Sequence, residues 1–384
     1  MIKLKKSIYD NYIDGYIDYC LNDIKNNFKK SSDIYFEGKV LRDDLFCKDG
    51  VINNDKIKKI ILMNFDDLTQ NDKILNDYFK TGLLIARTNH FVNEELKNLR
   101  SKNKSKKYKS LRKEFVDEYM NDWIESYFQN ENVFKSNKSF LDVIENIEND
   151  YYRLTLIDDK QHIISYNLSS EFRNDFLSSL NISVCPYCNR QFISSFEKNN
   201  DEYQSTATLD HFYPKALFPL FSLSLYNLVP ACHICNGILK NTSTRKIMYP
   251  FSKGYENYAH FRIGKFESLD SLLGNNDQFN IFVDYQKEKH EDIKNSIQLF
   301  KTEEIYKYHK DYVQSILLKS TIYSDTYKEM LKDLLKNKNL NYTEQGLNAF
   351  LYNLDLNDSE QTNVVLGRLT KDVLEQIEEL KKQP

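Results

Sequence analysis

The sequence predicts an α+β fold that is predominantly helical, with one zinc-stabilised module embedded between helical regions. Three observations carry that reading. Pro186, Pro214, Pro219, Pro230 and Pro250 fall in one short region, leaving only Pro384 elsewhere, so the long flanks are free of helix breakers. Both flanks repeat apolar residues at helical spacing. The proline-rich region itself carries two Cys-x-x-Cys pairs, a spacing that in a reducing compartment points to metal rather than to disulfides.

Along the chain, Ile8, Tyr12, Tyr16, Cys20, Ile24 and Phe28 recur every four residues, with Tyr9, Ile13, Ile17 and Leu21 beside them, which predicts an amphipathic packing helix. Further helices are expected over Phe115 to Tyr127 and Phe140 to Tyr152. The polar segment "NLSSEFRNDFLSSLN" then leads into the first cysteine pair, and residues 1–170 read as a helical amino-terminal region. Residues 171–252 form the metal-bearing module, and 253–384 a mainly helical carboxy-terminal region. Within the latter, Phe279, Ile281, Val283 and Tyr285 alternate as a half-buried strand does, and Phe261, Ile263 and Phe266 supply its partner in a short sheet at 259–286. Helix resumes from Ile293, with Ile305, His309, Tyr312 and Ile316 on one face. A last helix, capped by Asp358 or Ser359, continues through Val365, Leu369, Val373, Ile377 and Leu380.

Composition narrows the function classes. The 384 residues contain 41% hydrophobic and 14% aromatic side chains with no uninterrupted apolar run of membrane-spanning length, as expected of a soluble globular protein. The start, "MIKLKKSIYDNYIDGY", is broken by Asp10, Asn11 and Asp14 where a signal peptide needs a continuous apolar segment, so the cytoplasm is the expected location. A net charge of −3 gives nucleic-acid binding no global electrostatic support, so phosphate contacts must come from a local patch. The acid-free run from Lys97 to Lys113, with Tyr108 for stacking, is one candidate, and a solvated helix or loop is the competing reading. No Gly-x-x-x-x-Gly-Lys-Ser/Thr loop occurs, so nucleotide hydrolysis by this chain is not expected.

The chemistry concentrates between Cys185 and Lys240. Cys185, Cys188, Cys232 and Cys235 make two knuckles able to close a tetrahedral four-thiolate zinc site, while Cys20 and Cys47 read as ordinary packing residues. The cysteines alone favour a structural ribbon that binds nucleic acid or protein without chemistry. A plain ribbon, however, has no use for Asp210 followed by His211, nor for Asn236 directly after its last cysteine. Phosphodiester hydrolysis needs a base to activate water and a hard cation held by oxygen ligands, and these residue types supply that set.

The segment Ile182 to Lys246, with "CPYCN", "LDHFYPK" and "LSLYNLVPACHICN", resembles the HNH endonuclease family, whose ββα-metal fold sets a β-hairpin and a helix around one divalent cation. The resemblance implies that His211 is the general base, that Asp210 and Asn236 hold Mg²⁺ or Mn²⁺, and that Asn227 braces the hairpin loop and orients the base. Asn stands where the family name has its last His, a common variant. The strands are expected in "ATLDHF" and "FSLSLYNL", and the helix from Cys232 or Cys235. Asn236 and Lys240, four apart, then share a helix face, which predicts Lys240 as a phosphate-binding cation, with Lys215 and Arg245 as weaker candidates. Adjacent strand residues point to opposite faces, so Asp210 and His211 serve one phosphate only if the strand end is irregular or the imidazole reaches across. His233, inside the second knuckle, is expected to be exposed rather than a ligand.

More narrowly, the segment is similar to the nuclease subunit of Septu-type anti-phage defence systems. That similarity implies a separate ATPase subunit as partner; the expected substrate is nucleic acid, with DNA favoured and RNA the other choice. A non-catalytic zinc module and a stand-alone restriction or homing-type nuclease are the alternatives.

Overall fold

In a computed structural model, the apolar stripe that starts at Tyr9 becomes α1 (Ile13–Lys30), with Tyr16, Cys20 and Ile24 fully buried on its inner face. The structure describes residues 1–30, 41–66, 68, 72–97, 104–156, 161–165, 167–199, 202–286, 290–337, 347, 351–352, 354 and 363–381. Short α2 (Leu41–Phe46) and the two-residue strands β1 (Cys47–Lys48) and β2 (Val51–Ile52) precede α3 (Asn54–Ile61), whose first turn is capped by the Asn53 side chain. Then come α4 (Lys73–His90), continued as a π-helical turn to Leu96, α5 (Lys104–Tyr119), α6 (Asn137–Arg153) and α7 (Ser170–Ser178).

The helix expected over Phe115 to Tyr127 ends instead at Tyr119. Asn121 takes over the backbone there: its Oδ1 accepts from Trp123 N at 2.9 Å, and its Nδ2 reaches Thr81 Oγ1 at 3.1 Å. A local side-chain turn of this kind competes directly with helix continuation.

Among the described residues the strands pair as four two-stranded antiparallel sheets, so the architecture is mixed helix and strand with helix dominant. After the first cysteine knuckle, β3 (Ser195–Asn199) pairs with β4 (Glu202–Ser205), and β5 (Thr208–His211) with β6 (Leu228–Ala231). The second strand of that hairpin therefore lies later than "FSLSLYNL". Half of that stretch is drawn into two 3₁₀ turns, Pro219–Phe221 and Leu225–Asn227, and Pro230 is tolerated in β6 because a two-stranded sheet has only edges. A seven-residue π-helix, Ile234–Lys240, follows immediately.

The later sheet forms where alternation predicts, with β7 (Ala259–Gly264) against β8 (Asn280–Tyr285) in the register Phe261↔Val283 and Ile263↔Ile281. Between them lies α8 (Leu269–Leu272). The helices beyond are α9 (Glu291–Leu299), α10 (Thr302–Tyr306), α11 (Lys310–Ile322), α12 (Asp325–Asn337) and α13 (Gly367–Lys381). Lys301, at φ 49°, breaks the run between α9 and α10. The cap expected at Asp358 or Ser359 lies outside the described residues.

These flanks grip the 185–240 segment from two sides. Helices α1, α3 and α4 hold the loop between β5 and β6: Tyr16 donates to Leu223 O at 3.1 Å, Ser224 to Ile60 O at 2.6 Å, and Tyr78 accepts from Leu220 N at 3.1 Å. Tyr9 adds a buried bond to Leu228 O while its ring stacks on Phe176. On the other side the entry to α13 ties down the first knuckle, with Asn189 bonded to Leu366 N at 2.7 Å and to Arg368 N at 2.9 Å. Inside α13 the buried Arg368–Asp372 pair answers its own charge, and Arg368 also reaches His260 Nδ1 at 3.0 Å. No helix among the described residues is long and apolar enough to cross a membrane.

Candidate metal centre and Asp-His site

The first knuckle is a tight turn closed by the Val184↔Phe192 bridge, with Cys185 N donating to Gln191 O at 2.9 Å. Asn189, at φ 50°, lets the chain reverse after Cys188. The second knuckle joins the end of β6 to the π-helix, and Cys235 N–H points at Cys232 Sγ, 3.4 Å away. All four sulfurs are buried and lie within 4.8 Å of one another. A tetrahedral zinc with bonds of about 2.3 Å needs sulfurs about 3.8 Å apart, so four sulfurs within 4.8 Å of one another are compatible with a zinc ion. Burial pushes the Cys185 thiol up, whereas hydrogen bonding among the sulfurs, Cys185 first, pulls Cys188 and Cys232 down. His233 is exposed, and its ring lies over Gly237, where a Cβ would come within 2.9 Å of Cε1.

Asp210 and His211 are regularly paired, with Val229 and Leu228 respectively, so their side chains leave opposite faces of β5. Asp210 is 2% exposed, and both of its oxygens are occupied: the Tyr187 hydroxyl donates to Oδ2 and Lys240 Nζ to Oδ1 at 2.9 Å. On the same strand face, two residues back, Thr208 Oγ1 receives Asn236 Nδ2 at 3.0 Å. The four-residue spacing of Asn236 and Lys240 thus matches the two-residue spacing of Thr208 and Asp210.

On the other face, His211 Nε2 lies 3.0 Å from Ser222 O. A carbonyl only accepts, so this contact places the hydrogen on Nε2 and leaves Nδ1 as the basic nitrogen. Burial, and then the Lys215 charge, hold the imidazole down at about 4, while the Ser222 carbonyl works against them. Asn227, fully buried, binds the loop across its base: Oδ1 accepts from Tyr213 N at 2.8 Å, and Nδ2 donates to Tyr213 O and Phe221 O, each at 3.0 Å.

The expected phosphate cations are placed differently. Lys240 is 1% exposed rather than facing solvent, because its partners Asp210 and the His211 carbonyl, 2.8 Å away, lie inside. Lys215 is partly buried and bonded to Asn167, near His211. Arg245 is exposed at a cleft of about 570 Å³ that also takes Arg87, Lys246 and Lys294 on its walls, together with Glu94, Glu118 and Glu291. Within Lys97 to Lys113, residues 98–103 lie outside the described residues. Arg112 is buried against Phe134 O and Asn137, whereas Lys109 and Lys113 make surface pairs with Glu131 and Lys106 and Lys107 are exposed.

Three contributors escaped the sequence reading: Tyr187, Thr208 and Ser222. Only Tyr187 carried a signal, as the residue inside the first knuckle. No family model matches the chain, nor does any curated protein or solved structure.

For a hard cation the oxygen groups that this face offers are the Asp210 carboxylate, whose two oxygens are already bonded, and the amide of Asn236, whose Nδ2 is bonded to Thr208. The Lys240 ammonium already stands at Asp210 as a cation, so the residues suit positive charge at that point.

Proposed function

We propose that the chain is an HNH endonuclease that hydrolyses phosphodiester bonds of nucleic acid, DNA before RNA, with a structural zinc at the four cysteines. The observation that carries this reading is the arrangement around β5. A hairpin ends in Asp210–His211, a helix follows its second strand at once, and that helix lays Asn236 and Lys240 along the Asp210 face while a carbonyl fixes the His211 tautomer.

The chain's own residues act as follows. His211, held through Nε2 by Ser222 O, offers Nδ1 to take a proton from the attacking water. Its depressed pKa keeps that nitrogen unprotonated at neutral pH. Asn227 supports the base indirectly by fixing the loop from Phe212 to Phe221 that contains the approach to Ser222. Asp210 and Asn236 would hold a single Mg²⁺ or Mn²⁺, which when bound stabilises charge on the phosphate and the leaving oxygen. The cysteines take no part in bond breaking. A separate ATPase partner and an anti-phage role belong to the same proposal and rest on the similarity of the central segment to Septu-type nucleases.

A second reading, a zinc module without catalysis, is favoured by two observations: Asp210 has both oxygens engaged within the protein, and the regular pairing of β5 sends the Asp210 and His211 side chains to opposite faces. Cleavage of plasmid DNA and of total RNA separates the two. With Mg²⁺ or Mn²⁺ the zinc-loaded wild type is expected to cut one of them, EDTA to stop it, and His211→Ala to lower the rate by about 10²–10⁴-fold with zinc retained. Equal cutting by His211→Ala rules out the assigned base. Nucleic-acid binding with no cutting, even with the ATPase supplied, selects the binding module.

A further inference from the structure

Lys240 is among the largest fully buried side chains in the molecule. An ammonium out of water costs several kcal/mol unless it is paired and hydrogen-bonded, and here it binds both members of the Asp-His dipeptide: Asp210 Oδ1 at 2.9 Å and His211 O at 2.8 Å. Its ring neighbour is Phe212, 5.9 Å from the charge. The other carboxylate oxygen carries the Tyr187 hydroxyl. The lysine therefore sits on the carboxylate that the nuclease reading, on which this inference rests, gives to a divalent cation.

We propose that Lys240 is an intramolecular competitor for that cation. In the metal-free protein its ammonium neutralises Asp210 and keeps β5 and the π-helix together. Loading requires the ammonium to leave Oδ1, since two cations within a few ångströms of each other in a buried site repel strongly. The backbone at this point suits such a movement. Lys240 is the last residue of the π-helix, whose Asn241 N–H bonds back to Asn236 O at 2.7 Å, and Asn241 itself is held at φ 45°. Wider π turns and left-handed non-glycine residues are both less stable than their ordinary counterparts, so the local backbone conformation itself does not oppose re-forming this turn. A lysine that merely props Asp210 from behind makes the opposite prediction, because it would aid metal binding.

The test is Mn²⁺ binding to the zinc-loaded full chain at pH 8, followed by electron paramagnetic resonance, for wild type, Lys240→Gln and Asp210→Asn. Glutamine keeps an N–H donor while removing the charge. Lys240→Gln is expected to bind Mn²⁺ at least tenfold more tightly than wild type, and Asp210→Asn to lose the site. Equal or weaker binding by Lys240→Gln overturns the competitor and leaves the nuclease reading standing. Absence of an Asp210-dependent Mn²⁺ site in all three proteins overturns the competitor and the metal assignment together. A measurement on wild type avoids any dependence on the variant's folding. Acylation of Lys240, read by peptide mass spectrometry, is expected to be several-fold faster with Mn²⁺ than without, and an unchanged rate overturns the proposal.

Discussion

The two ends of the 185–240 segment both gather groups suited to a positive charge, and they do so in opposite ways. At the cysteine end four identical donors converge from two knuckles, each sulfur buried, with only other sulfurs completing the set. At the Asp210 end the donor is already answered by Lys240 and Tyr187, side chains that come from the helix and from the first knuckle. The first arrangement is compatible with a bound zinc ion. The second is electrostatically complete on its own. A site of the first kind can serve as a structural staple, and one of the second kind is folded and held by the protein's own side chains.

The sharpest way to break the comparison is to attack the staple. Cys232→Ser removes one thiolate from a set whose metal contributes on the order of 10 kcal/mol to folding of a small zinc unit. The expected outcome is loss of stoichiometric zinc and loss of protease resistance across the 185–240 segment. Asp210→Asn, in contrast, should keep zinc. Loss of zinc with protease resistance retained in Cys232→Ser would show that the flanking helices alone hold the segment.

Legibility in the sequence follows the same division. The cysteine cluster was readable because Cys-x-x-Cys is local geometry, and two copies need only one contact between them. Strand β5 was readable from "ATLDHF" for a similar reason. The partner strand was displaced, since the alternation in "FSLSLYNL" imitates a strand while Asn227, through bonds to Tyr213 and Phe221, folds those residues into turns instead. The helical spacing of Asn236 and Lys240 was also visible, but spacing says which residues share a face and not where that face points. Lys240 points inward because Asp210 does, and that partnership spans 30 residues. Likewise Arg112 looked like part of a solvated basic run, and only the tertiary contact with Phe134 and Asn137 shows it to be packed.

The next largest effect tests whether the loop between the strands is a rigid part of the site. Asn227→Ala leaves Tyr213 N, Tyr213 O and Phe221 O without their partners in a buried setting, at about 1–3 kcal/mol for each such group and less where water enters. A loss of about 3–4 kcal/mol in denaturant unfolding is expected, with zinc retained. A loss under about 1 kcal/mol would mean that the helices grip the loop without help from Asn227.

A smaller effect comes from His211. Its folded pKa of about 4 lies below the ordinary value of 6.5, first through burial and then through Lys215, so the folded chain prefers the neutral imidazole. The full stability is present above pH 6.5. As pH falls from 6.5 towards 4, the unfolded chain takes up the proton first and wild type loses stability relative to His211→Gln, by on the order of 2–3 kcal/mol. Parallel stability curves for the two proteins over that window would place His211 in contact with water.

The smallest expected effect addresses the Asp210 end directly. Tyr187→Phe deletes the hydroxyl that donates to Asp210 Oδ2 and keeps the ring stacked on Phe300, 4.6 Å between centroids. A hydrogen bond to a buried charged group is worth about 1.5–3 kcal/mol, and the Lys240 pairing that remains limits the loss to the lower part of that range. If the end near Asp210 is complete in itself, unfolding should shift by about 1.5 kcal/mol with zinc content unchanged, because the hydroxyl serves the carboxylate and the backbone of its knuckle serves the cysteines. Loss of zinc from Tyr187→Phe would join the two ends into one unit, and the contrast between a closed staple and a self-satisfied carboxylate would no longer hold.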